Sequence, residues 1–114
     1  MKLTLRHARR ASFGVSAVLL VTASAAWAVT NLAISQHNLR FSQTQISIHE
    51  GDTVTFNNDD EITHNISVRA GEGDTEDLGL QKPKVSVTHR FDRKGVYYVV
   101  CSIHPRMRLT VNVN

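Results

Sequence analysis

From Leu32 onward the apolar residues recur at every second position in seven short groups, a period that fits strands and not helices. The groups are Leu32 and Ile34; Ile46 and Ile48; Val54 and Phe56; Ile62, Ile66 and Val68; Val85, Val87 and Phe91; Tyr97 and Val99; and Leu109, Val111 and Val113. Turn formers separate them: Glu50-Gly51-Asp52, Asn57-Asn58-Asp59-Asp60, the acidic stretch from Gly71 to Asp77, and Asp92 to Gly95. A strand with one apolar face must bury it against another layer. The pattern therefore predicts an all-β, two-sheet antiparallel Greek-key sandwich. Gly71 to Lys84 is the least strand-like part, apart from Leu78 and Leu80, and reads as a loop or a short helical turn.

The N-terminus carries a different signature. Lys2, Arg6, Arg9 and Arg10 make a basic start, Phe13 to Ala23 is an apolar run, and Ala26-Trp27-Ala28 is an A-x-A cleavage signal. The expected organisation is a cleavable signal peptide over 1–28 and one domain over 29–114. The apolar run is short for a membrane span, which needs roughly 20 residues, so no membrane insertion is expected after cleavage. Arg9-Arg10 ahead of Phe13 is a weak pointer to twin-arginine export. Removing the segment leaves nine Lys and Arg against ten Asp and Glu, a formal charge of −1. The basic pI of 9.4 thus belongs to the precursor. No Arg/Lys block with interleaved aromatics follows, which argues against nucleic acid as a partner. The expected product is an exported, periplasmic monomer.

Cys101 is the only cysteine, so no internal disulfide can form. In an exported chain an odd cysteine is a liability, half of an intermolecular bridge, or an occupied ligand. Its neighbours favour the last. Cys101, His104 and Met107 are spaced C-x-x-H-x-x-M at the end of the apolar run Tyr97-Tyr98-Val99-Val100, so a strand delivers the thiol and a tight loop returns the other two. His64 shares the inward parity of Ile66 and Val68 and is the best upstream fourth donor. Two imidazoles, a thiolate and a weak thioether are the donors of copper electron-transfer sites. Structural zinc takes four Cys, His or acidic ligands, and a thioether serves it poorly.

With these residues in view, the C-terminal half resembles the cupredoxins, and the Cys101–Met107 loop is most similar to that of amicyanins and plastocyanin-like proteins of methylamine-utilisation systems. The resemblance runs from about Phe41 to Val113 and is strongest at Asp59 to Ile66 and at Asp92 to Val111. It implies a single type 1 copper ion held by His64, Cys101, His104 and Met107. It also implies that Asn65 ties the two ligand loops together and hydrogen-bonds near the thiolate. Ile103, His104 and Pro105 become the electron port. The implied partners are redox proteins, a c-type cytochrome or a periplasmic dehydrogenase or oxidase. Arg106 and Arg108 beside Met107 would favour an acidic face on such a partner.

Other residues are assigned simpler roles. His89 shares the parity of Val87 and Phe91 and reads as a core-edge histidine rather than a fifth ligand; His37 and His49 read as surface residues. Glu72, Asp74, Glu76 and Asp77 form a solvated acidic stretch, with attraction of a basic cytochrome as the sharper reading. An inward cysteine in a tight loop with His104 is placed to share a metal rather than attack a substrate. No phosphate-binding glycine loop or spaced carboxylate pair is present, so no enzymatic activity is expected. Two alternatives stand beside electron transfer: a periplasmic copper carrier or chaperone, and a metal-free sandwich serving as an interaction domain.

Overall fold

The computed structural model describes residues 2–4, 10–24 and 28–114. Ala26 and Trp27 of the expected cleavage signal lie outside the described residues. Residues 10–24 adopt neither helix nor strand, and their apolar side chains are exposed, Phe13 at 92% and Leu19 at 87%. Among the described residues no helix is long and apolar enough to cross a membrane.

Among the described residues there are nine strands: β1 (Asn31–His37), β2 (Arg40–Phe41), β3 (Gln45–Ile48), β4 (Thr53–Asn58), β5 (His64–Ala70), β6 (Thr75–Gln81), β7 (Ser86–Arg90), β8 (Gly95–Val100) and β9 (Arg108–Val113). They form a sheet of order β2-β1-β4-β7 and a second of order β3-β9-β8-β5-β6. The expected all-β, two-sheet architecture is present, with two differences. The sheets are mixed rather than antiparallel, because β1 runs parallel to β4 and β3 parallel to β9. The stretch read as a loop contains β6, which pairs antiparallel with β5.

The alternating pattern explains the core. Ile34, Val54 and Phe56 from the first sheet face Ile46, Ile66, Val99, Leu109 and Val111 from the second, all buried. Burying each such side chain contributes roughly 1.5–3 kcal/mol relative to leaving it exposed. Aromatic edges close the layer, with Phe41 against Phe56 at 6.0 Å and Phe91 against Tyr97 at 5.1 Å. Two expected inward residues fall outside strands and stay largely exposed: Ile62 at 44% and Val85 at 42%. Each sits just before the strand it was grouped with, where the chain is still turning.

One sheet register builds the site. Ser67 pairs with Val100 across β5 and β8. His64, at the start of β5, and Cys101, just past the end of β8, therefore emerge at the same end of the sandwich.

Candidate metal centre

The loop after β8 is shaped by its own backbone. The His104 N–H donates to the Cys101 carbonyl at 3.2 Å, and the Met107 N–H donates to the His104 carbonyl at 2.9 Å. The Cys101 N–H closes the loop on the Met107 carbonyl at 3.3 Å. These are successive four-residue turns, and Pro105, with its fixed φ, occupies the second position of the latter. The C-x-x-H-x-x-M spacing is thus the spacing of two linked turns. Met107 ends the loop buried, 1% exposed, in the same apolar cluster as Cys101.

The structure brings together the expected donor atoms of His64, Cys101 and His104. Nδ1 of His64, Sγ of Cys101 and Nδ1 of His104 all lie within 4.8 Å of one another. The two nitrogens are 3.2 Å apart, and the sulfur stands 3.8 Å from His64 and 3.7 Å from His104. Metal–nitrogen bonds of about 2.0 Å at a tetrahedral angle would put two nitrogens about 3.3 Å apart, and a metal–sulfur bond of about 2.3 Å fits the longer distances at an angle near 120°. The donor set and its spacing fit a single type 1 copper ion. Among the described residues no fourth His, Cys or carboxylate joins the group, which leaves the position a structural zinc would need unfilled by its usual ligands.

Asn65 joins both ligand segments. Its N–H donates to Cys101 Sγ at 3.3 Å, while its Oδ1 accepts from the Ser102 N–H at 3.2 Å, the Ser102 hydroxyl at 2.7 Å and the Ser67 hydroxyl at 2.9 Å. Its Nδ2 donates to Asp77 Oδ1 at 2.6 Å and to the Gly79 carbonyl at 3.0 Å. Hydrogen bonds from the Gly79 N–H and the Asn65 amide hold the Asp77 carboxyl below the usual carboxylate range against the opposing effect of burial. One member of the acidic stretch therefore orients Asn65 rather than facing solvent alone.

A second carboxylate was not singled out by the sequence pattern. Asp60 Oδ2 lies 2.7 Å from Nε2 of the fully buried His64. The Asn38 and Leu39 N–H groups donate to its two oxygens at 2.7 and 3.1 Å. Burial raises the Asp60 pKa, but the hydrogen bonds from His64, Leu39 and Asn38 outweigh it and hold the carboxyl below its ordinary value. Both turn residues are left-handed, with φ of 51° at Asn38 and 58° at Leu39. Asparagine tolerates this region; for leucine it costs roughly 1–2 kcal/mol.

The same turn borders the surface face of the site. Asn38, Leu39, Arg40, Ile103, His104, Pro105 and Arg106 line a cleft of about 630 Å³. Leu39 and Ile103 are exposed at 45% and 47%, and His104 is half-buried. His89 lies away from this end, on β7, edge-to-face with Phe91 at 4.7 Å. His37 and His49 are exposed, near Asp60 and Asp52 respectively.

Residues 28–114 match the copper-binding proteins of the plastocyanin/azurin family. The chain belongs to that family. This cupredoxin is 33% identical over 85 residues to methylamine utilization protein MauL of Methylophilus methylotrophus, covering 73% of this chain and 48% of that protein. It is 27% identical over 103 residues to MauL of Methylorubrum extorquens, covering 82% and 90%. The chain thus spans about half the length of the first relative and most of the second. Among solved structures, an amicyanin variant in its Cu(I) form matches with a TM-score of 0.66 and 26% identity, covering 73% of this cupredoxin and 81% of that chain. Together these likenesses support a copper-binding cupredoxin most like amicyanin.

Proposed function

We propose that this cupredoxin carries single electrons between redox proteins in the periplasm through a mononuclear type 1 copper site. The observation that carries the reading is the convergence of His64 Nδ1, Cys101 Sγ and His104 Nδ1. His64, Cys101 and His104 would hold the ion, with the Met107 thioether as a further weak donor. The bound copper supplies the one-electron couple between Cu(II) and Cu(I). The chain's own residues keep the site in one shape in both states. Asn65 clamps the thiol side, the two turns of the loop space the donors, and the apolar core excludes water. A rigid frame of this kind limits reorganisation when the charge changes.

The half-buried His104 is the proposed electron port, with Ile103 and Pro105 around it as the sequence suggested and Leu39 extending the apolar rim. Arg40 and Arg106 line the same cleft, so the partner face we propose is apolar at its centre and acidic at its rim. The MauL relatives carry methylamine utilization in their names, which favours a partner in that redox chain, a c-type cytochrome or a periplasmic dehydrogenase or oxidase. Export follows from residues 1–28 acting as a cleaved signal, and the mature chain acts as a carrier rather than an enzyme.

The test is the visible and electron-spin-resonance spectrum of the mature protein after one equivalent of Cu(II). An intense blue band with narrow copper hyperfine splitting is expected. Colourless, readily exchanged copper would overturn the electron-transfer reading in favour of a copper carrier, and absence of binding would leave a metal-free interaction module.

A further inference from the structure

We propose that Asp60 is a positioning residue for His64: it fixes which ring nitrogen carries the proton and aims the other at Cys101 and His104. The inference rests on the copper reading for its purpose, but the geometry that carries it belongs to the protein alone. An ionised carboxylate only accepts hydrogen bonds. At 2.7 Å from Asp60 Oδ2, the Nε2 of His64 must therefore be the protonated nitrogen. In the neutral ring Nδ1 is then bare, and Nδ1 is the atom that faces the thiol and the second imidazole.

The carboxylate is itself held from two directions. From β1's end, the successive N–H groups of the left-handed pair Asn38 and Leu39 converge on its oxygens, a small anion-binding concavity of backbone donors. From its own corner, the Asp60 N–H donates to Asn58 Oδ1 at 3.0 Å, and Asn58 Nδ2 in turn donates to the carbonyls of Ile62 and Gln81 at 2.8 and 2.9 Å. A solvated acid would need neither set of contacts. Asp60, with only 9% of its surface exposed, meets a fully buried ring. A carboxylate behind a metal-binding imidazole orients the ring and strengthens it as a donor, and removing such a partner typically weakens metal binding about 10–100-fold.

The test compares wild type with Asp60→Asn and Asp60→Ala. Asparagine keeps an acceptor oxygen and loses the charge; alanine loses both. Nitrogen-resolved NMR of the metal-free proteins should show one His64 tautomer, protonated at Nε2, in wild type and in Asp60→Asn, and a mixture in Asp60→Ala. In the copper forms Cu(II) affinity should fall about 10–100-fold in Asp60→Ala and less in Asp60→Asn. Both variants should have raised reduction potentials, because the lost negative charge favours Cu(II) over Cu(I); a tenfold loss confined to Cu(II) corresponds to about 59 mV. Circular dichroism identifies any variant that fails to fold, and Asp60→Asn, the closer match in shape, then decides. A mixed tautomer in wild type, or an unchanged potential in folded Asp60→Asn, would overturn the proposal. If wild type binds no copper, the copper reading falls while the metal-free NMR still judges Asp60.

Discussion

The two histidines of the site are held in opposite ways. His64 is completely buried, starts a central strand and has a carboxylate at its back. His104 is half-buried in a seven-residue loop whose shape comes from two turns, and its ring borders an open cleft. Two chemically identical side chains thus make one fixed wall and one thin wall. The proposed electron carrier needs both: a frame that does not relax when charge changes, and a short route to a partner at the surface.

The strongest way to break this contrast is to remove what both histidines share. Replacing Cys101 by Ser should abolish the intense charge-transfer band completely, because only thiolate-to-copper excitation supplies it; absorption spectra of the copper-loaded variant check this, and a retained band would refute the ligand assignment. The next experiment separates the two sides. In His104→Gly the vacancy opens toward the cleft, so added imidazole should restore the blue band. In His64→Gly the vacancy is sealed under the core, so imidazole should restore little or none, and the domain should lose stability in urea titrations. Equal rescue of both variants would erase the distinction.

A smaller effect belongs to Met107, the proposed thioether donor. Met107→Leu keeps the buried volume, so stability should change by less than about 1.5 kcal/mol. Copper should remain bound while the reduction potential rises, since a weak donor to Cu(II) has been removed; voltammetry reads the shift. The smallest expected effect lies at the far end of the sandwich. The Asp52 carboxylate accepts the N–H groups of Thr30 and His49 at 2.8 and 2.9 Å, and these bonds hold its pKa below the ordinary carboxylate value despite burial. Its stabilisation is present above the unfolded pKa of about 3.9 and is lost as pH falls through the lower folded value. Unfolding titrations of Asp52→Asn should thus show a deficit at neutral pH that narrows in acid, with the copper spectrum at neutral pH unchanged.

What could be read from the sequence divides along similar lines. Seven strands were legible because each alternates apolar and polar residues against one buried face. β6 was not, because Thr75-Glu76-Asp77-Leu78-Gly79-Leu80-Gln81 is an edge strand with little buried on either face until Gln81. β2 has two residues and no period to show. Alternation names a face and not a neighbour, so the parallel pairings of β1 with β4 and β3 with β9 left no trace in the pattern. At the candidate site, the nearness of Cys101 and His104 could be anticipated because their spacing is local, and that of His64 because its strand parity points inward; both are seen in the grouping of the three side chains. Asp60 was hidden in a run of polar corner residues, Asn57-Asn58-Asp59-Asp60, where an acid normally faces water. What distinguishes it comes from Asn38 and Leu39, more than twenty positions upstream. The only local signal was an acid four residues ahead of a ligand-type histidine, one turn-length away.

The place of β9 also bears on how the molecule assembles. β8, the donor loop and β9 form a continuous hairpin over residues 95–113, and such local structures form in microseconds. Its neighbours in the sheet, β3 and β5, come from residues 45–48 and 64–70, and distant strand pairings of that kind slow folding. A refolding chain therefore presents Cys101, His104 and Met107 together before His64 arrives. Copper present from the start would meet the three proposed donors on an isolated hairpin, whereas copper added afterwards would meet a finished frame. The order of mixing, and not only the composition of the mixture, will govern the rate at which colour develops.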